Sequence, residues 1–216
     1  MAEHFVASFL DNIRNTGLLE YIAVVFGIAS VWYSRKENIL VYPVGLVNTI
    51  IYVYLSIEGH LIGEASVNLY YTIVSIYGWI IWAKKDQQHR PVLRITNSSS
   101  KEWLQQLAFF GAFYIVIFLC LSFLKTNFLP GVLPAADAFA SATAFTGMWL
   151  MARKKVESWY WWIATNIASI PLYYVKGYAF TSLYYFVLLV LAFSGLFEWK
   201  RKVMAARGSH VPVTNS

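Results

Sequence analysis

Two asparagines, Asn48 and Asn166, each lie in the middle of a long apolar run. In apolar surroundings an amide side chain leaves donors and acceptors unmet unless it finds a partner or a ligand. A third group, Asn68, Tyr71, Thr72, Ser75, Trp79 and Trp82, recurs at three- and four-residue steps. That spacing is one face of a helix with 3.6 residues per turn. Amides and hydroxyls beside aromatic faces can hold a small solute that combines hydroxyl groups with a flat ring. The alternative for each is a helix–helix hydrogen bond. Catalytic chemistry has no comparable set of residues. His4, His60, His89 and His210 are scattered, Cys120 is the only cysteine, and no metal-ligand spacing or nucleophile–base pair is present. We expect no catalytic residue, no metal and no cofactor.

These residues need apolar helices to position them. The chain is 58% hydrophobic, 18% aromatic and 13% charged, against about half apolar and a quarter charged in a soluble domain. One small core cannot bury that surplus, so lipid is the natural solvent for the rest. A helix needs about 20 mostly apolar residues to cross a bilayer. Seven candidate spans result: 18–34, 38–57, 64–83, 104–124, 133–151, 158–176 and 179–199. Gly27, Pro43, Gly45, Gly147 and Pro171 inside them are tolerated in membrane helices. Residues 1–17 carry Glu3 and Asp11 and lack a basic start, so they do not read as a signal peptide. Phe5, Phe9, Leu10 and Ile13 suit an interfacial helix there. Residues 84–103 form a polar linker and 203–216 a flexible tail.

Basic residues set the orientation. One set of loops carries Arg35, Lys36, Lys84, Lys85, Arg90, Arg94, Lys101, Arg153, Lys154, Lys155, Lys200, Arg201, Lys202 and Arg207, fourteen in all; the other side carries Arg14, Lys125 and Lys176. The N-terminus is expected outside and the C-terminus in the cytoplasm. The net charge of +6 is thereby explained without nucleic acid.

An internal repeat organises the spans. Residues 35–60 laid over 153–178 match at Arg35/Arg153, Lys36/Lys154, Tyr42/Tyr160, Asn48/Asn166 and Gly59/Gly177. "LYY" recurs at 69–71 and 183–185, and Trp82 and Trp199 close the two copies. Both copies keep their basic loops on one side, so they are parallel. The expected fold is all-α: seven transmembrane helices in a 3+1+3 arrangement, with repeats at 18–83 and 133–202 joined by a span at 104–124. Such repeats point to a transporter with its site between them near midplane. The seventh span, with Ser182, Tyr185, Leu189 and Phe193, lacks the polar stripe, so the halves are chemically unequal.

The centres of the spans lack Asp, Glu, Lys and Arg; Glu20, Glu64, Asp137, Lys176 and Glu198 lie near ends. This argues against a proton-coupled pump and against a retinal protein. It favours facilitated movement of an uncharged or weakly charged solute, with sodium coupling left open. Trp32, Trp82, Trp149 and Trp199 each precede basic residues and suit an interfacial belt. Trp79 lies about one helical turn deeper than Trp82 and is the better candidate for ligand contact.

Trp79-x-x-Trp82, Asn48, Asn166 and the "LYY" pairs resemble the PnuC nicotinamide riboside (vitamin B3) transporters, which are related in fold to the SWEET proteins. The resemblance covers residues 18–202. It implies a homotrimer in the bacterial inner membrane that carries nicotinamide riboside by facilitated diffusion, with cytoplasmic phosphorylation by a riboside kinase trapping the product. Aromatic faces suit the pyridinium ring, and asparagine, serine and tyrosine suit the ribose hydroxyls. The candidate site is therefore Asn48, Tyr52, Asn68, Tyr71, Ser75, Trp79, Trp82, Asn166 and Tyr173. Two bundles would rock about it, with Pro43 and Pro171 as bending points. Thiamine, riboflavin or a sugar is the alternative cargo; an intramembrane enzyme or a seven-helix receptor fits less well.

Overall fold

The computed structural model describes residues 17–58, 62–127 and 133–208. The N-terminal segment 1–16 and the tail from 209 lie outside the described residues. The described residues form seven helices: α1 Leu18–Arg35, α2 Val41–Glu58, α3 Ile62–Ala83, α4 Ser100–Asn127, α5 Pro134–Ala152, α6 Ser158–Val175 and α7 Ala179–Gly208. Their bounds fall within a few residues of the seven predicted spans, with one clear difference. The last helix continues to Gly208 and buries Val203, so helix replaces the start of the expected tail.

Four helices, α1, α2, α4 and α7, are long and apolar enough to cross a membrane by length and composition. The other three have 22, 19 and 18 residues but carry the polar side chains. These include Asn68, Thr72 and Ser75 on α3, Thr143 and Thr146 on α5, and Asn166 and Ser169 on α6. Most of those polar groups are buried, which is why these helices can be less apolar.

Chain neighbours pack together: α1 on α2, α2 on α3, α5 on α6 and α6 on α7. The two triplets meet through α1 against α7 and α3 against α5, while α4 lies outside against α5. Exchanging one triplet for the other reproduces the same set of contacts. Helix α5 is the most enclosed, and its small residues Ala138, Ala140, Ala142 and Ala144 let neighbouring backbones approach closely. The outer faces are apolar, with Val25, Ile50, Ile73, Val116 and Phe197 exposed.

Helices α1 and α5 end in the same way. Asn38 donates its backbone N–H to the Tyr33 carbonyl at 2.9 Å, and Lys155 donates to Leu150 at 3.0 Å. The residues between, Glu37 (φ 60°) and Lys154 (φ 53°), adopt the left-handed conformation that usually closes a helix with glycine. These paired positions are 117 residues apart, one fewer than in the ungapped sequence match. The structure therefore pairs Tyr42 with Trp159, 2% and 1% exposed, rather than with Tyr160, 39% exposed. A slip of one residue turns a helical side chain by about 100°. On this register Asn166 corresponds to Thr49, and Asn48 to Thr165. The "LYY" copies, 114 residues apart, also fall out of register. The expected equivalence of Asn48 and Asn166 is corrected accordingly.

Candidate substrate site between the two halves

Five tyrosines from four helices neighbour one another between the halves: Tyr52 on α2, Tyr71 on α3, Tyr173 on α6, and Tyr184 and Tyr185 on α7. The Tyr173 and Tyr185 rings stack with centroids 5.2 Å apart and planes 13° apart. Tyr184 meets Tyr185 edge-on at 5.6 Å. Tyr71 sets its edge against Phe145 at 6.0 Å and lies 6.3 Å from Trp162. Tyr173 and Ser169 lie beside Tyr185. This wall combines π-faces with hydroxyls.

Asn48 borders the cluster. Its side-chain amide donates to the Ala23 carbonyl on α1 at 2.7 Å, so it makes the helix–helix bond. A Cβ added at Gly27 would collide with the Tyr184 hydroxyl and the Asn48 amide; glycine is what lets α2 and α7 close on α1 there. Asn166 is 2% exposed, and its Oδ1 has no partner among the described residues. A buried acceptor left unpaired costs on the order of 1–3 kcal/mol.

The ionisable groups nearest the cluster are acidic. Glu20 and Glu64 face Tyr52. Of the two cations described at that end, Lys176 is bound by Asp137 at 2.5 Å, and Lys125 lies in the last turn of the outer helix α4.

The remaining predicted residues have other neighbours. Asn68 donates to the Glu64 carbonyl of its own helix at 3.0 Å. The Thr72 hydroxyl bonds Thr49 on α2 at 2.9 Å, and Ser75 is buried. Trp79 is 40% exposed. Trp82 is 6% exposed at the opposite end of the bundle from Glu64 and donates its indole N–H to the Ala152 carbonyl at 2.9 Å. It is neither an interfacial anchor nor part of the tyrosine cluster. Trp199, at 0%, donates to the Ser34 carbonyl at 3.1 Å. The belt thus divides in two. Trp32 and Trp149 stay outside with cations over their rings (Arg35 at 4.2 Å, Arg153 at 4.6 Å), while Trp82 and Trp199 turn inward. Tyr184, Tyr185 and Trp162 were missed; the second "LYY" was the available signal.

The inward tryptophans close the basic end. Each crosses from the last helix of one half to the end of the first helix of the other. Their rings lie 6.2 Å apart, with Tyr42 edge-on to Trp82 at 5.1 Å and Trp159 edge-on to Trp199 at 5.6 Å. Lys154 binds Glu37 at 2.8 Å with its ammonium 4.5 Å over Trp82, and Lys202 adds a second bond to Glu37 at 3.1 Å. Two crossed indole bonds and one ion triad therefore join the halves.

The family described as "Nicotinamide mononucleotide transporter" matches residues 17–201. The nicotinamide riboside transporter PnuC of Escherichia coli is 23% identical over 201 residues, 84% of each chain. The riboflavin/roseoflavin transporter RibM of Streptomyces davaonensis is 21% identical over 184 residues, 83% of each chain. The crystal structure of the vitamin B3 transporter PnuC shares the fold, with a TM-score of 0.70, 24% identity, and 94% of this chain and 90% of that one covered. These relatives are transporters and not enzymes, and with the matched family spanning nearly all of the described fold, the chain belongs to the nicotinamide mononucleotide transporter family.

Proposed function

We propose that this protein carries nicotinamide riboside across the bacterial inner membrane by facilitated diffusion. The observation that carries the reading is the tyrosine cluster between the halves, with Glu20 and Glu64 near it and the neighbouring cation, Lys176, paired with Asp137. A pyridinium ring is a flat cation, which aromatic faces attract. Tyrosine hydroxyls and the unpaired Asn166 Oδ1 suit ribose hydroxyls. The same environment disfavours the mononucleotide, because its phosphate would face Glu20 and Glu64 while Lys176 is neutralised by Asp137.

Alternating access supplies the movement. The basic end, on the cytoplasmic side by its charge, is closed by the crossed indole bonds and the Glu37 triad. Opening it means breaking those contacts while the opposite end shuts. No ionisable chain crosses the spans to couple the movement to protons. Phosphorylation by a cytoplasmic riboside kinase would trap the product, and assembly as a homotrimer belongs to the same reading. Pro171 lies within α6 and suits a bend. Pro43 sits in the first turn of α2, whose N–H groups lack helical partners anyway, so it does not.

A second reading is riboflavin, favoured by the likeness to RibM and by stacked rings that would also accept a flavin. Calorimetric titration of the purified protein with nicotinamide riboside, nicotinamide mononucleotide, riboflavin, thiamine and sucrose separates these. Binding of the riboside alone, weakened by Tyr185→Ala, is expected. Binding of riboflavin instead would overturn the substrate, and binding of the mononucleotide equal to the riboside would overturn the charge argument.

A further inference from the structure

A groove of about 550 Å³ opens at the basic end, well away from the tyrosine cluster. Its floor is the last turns of α3, with Tyr77 and Ile81. Its rim carries Lys84 and Arg94 from the linker, and Arg153 and Lys155 from the turn between α5 and α6. The linker is held there by the chain. Thr96 donates its N–H to the Lys154 carbonyl at 3.1 Å, and Val156 donates back to Thr96 at 3.0 Å. Ser98 bonds Glu157 at 2.8 Å and accepts from Gln106 at 2.7 Å. The residues 84–103, expected only as a polar connector, therefore form a fixed wall.

The charges on this wall are unbalanced. Lys155 is paired with Glu102 at 2.7 Å, and Arg153 lies over Trp149. Lys84 and Arg94 have no acidic partner among the described residues, and no acid lines the groove. An excess of cations in cytoplasmic loops follows from membrane orientation, but that rule does not gather four of them around one groove. The position is also specific. Tyr77 stacks on Trp149 at 5.5 Å and 13°, an aromatic pair at the level where membrane interfaces place such rings. On the same helix Ile73, Ile76 and Ile80 are exposed, an apolar track leading away from the groove along α3.

We infer that this groove binds a phosphate group, that of an anionic phospholipid whose acyl chains follow α3. Lys84 and Arg94 contact the phosphate, Arg153 adds charge from its seat on Trp149, and Tyr77 and Ile81 cover the glycerol region. Because the groove joins α3, the linker and the α5–α6 turn, an occupied groove ties the first half to the second beside the Glu37 triad. Basic pockets on the cytoplasmic side of membrane proteins hold head groups in this manner. The inference does not depend on the cargo.

The test uses the full chain in neutral detergent. Its thermal unfolding midpoint is measured with added phosphatidylglycerol, with phosphatidylcholine, and with inorganic phosphate at matched ionic strength. Phosphatidylglycerol is expected to raise the midpoint roughly twice as far as phosphatidylcholine, since only a preferentially bound ligand stabilises the folded state. Lys84→Gln/Arg94→Gln is expected to abolish that difference. Equal stabilisation by both lipids, or an undiminished phosphatidylglycerol effect in the double variant, would overturn the inference. A matching shift from inorganic phosphate alone would keep the phosphate site and overturn the lipid. Should the double variant not fold, native mass spectrometry of the wild type decides: retention of phosphatidylglycerol over phosphatidylcholine supports the site, and equal retention overturns it.

Discussion

Trp82 and Trp199 make the same bond to opposite halves, whereas Asn68 and Tyr185, at equivalent positions on α3 and α7, do different things. Asn68 binds its own helix, while Tyr185 stacks on Tyr173 inside the cluster. The basic end is built twice over; the middle is built once. A contact between two halves that rock about a common axis can be duplicated, because each copy resists the same motion. A site for a ligand with two unlike ends cannot be, because one end needs rings and the other needs hydroxyls. In this protein the symmetric region holds the halves together, and the asymmetric region carries the proposed substrate site.

The Glu37 triad is where that symmetry can be broken with the largest effect. Glu37→Gln strands Lys154, whose side chain is 5% exposed, and unpairs Lys202. A loss of about 3 kcal/mol is expected on unfolding in detergent. Next come Gly78→Ala and Gly195→Ala, whose new Cβ atoms would strike the Tyr42 and Trp159 rings, respectively. Each should cost about 2 kcal/mol by overpacking, and a loss confined to one of them would contradict the equivalence of the halves. In the middle the halves should respond unequally. Tyr185→Ala is expected to weaken nicotinamide riboside binding about tenfold, or 1.4 kcal/mol, while Asn68→Ala leaves the affinity within about twofold; titration of both variants checks this, and a larger effect at Asn68 would return the polar stripe to the site. The smallest effects belong to Trp82→Phe and Trp199→Phe, each losing one hydrogen bond worth about 1 kcal/mol. Both variants should speed transport or leave it unchanged while lowering stability by similar amounts, as followed by uptake into proteoliposomes and by unfolding.

Much of this was legible in the sequence. Apolar runs long enough for a bilayer located all seven helices. Repeated residues indicated two related triplets, and the uneven distribution of Lys and Arg marked one end. These signals are local or periodic and survive without contacts. The site was legible in part. Tyr52, Tyr71 and Tyr173 meet in the cluster, and Asn166 is buried with a spare acceptor. Trp82 was misplaced because a tryptophan before lysines looks the same whether it turns to lipid or inward; the Ala152 carbonyl and the Tyr42 ring decide that, and they come from other helices. Tyr184 and Tyr185 were read only as part of the repeated "LYY" and not as site residues, because the two "LYY" copies lie three residues out of register.

Composition and periodicity by themselves determined that the chain is helical, apolar on its outer faces and twofold in its plan. Those properties follow from residue type and spacing along one helix at a time. Tertiary structure alone decided the 117-residue register, the inward turn of Trp82 and Trp199, the pairing of Lys154 with Glu37 and the tyrosines that share one space. The reason is geometric: a one-residue slip costs nothing in a sequence match, yet it turns each side chain by about 100° and so changes which neighbour it meets.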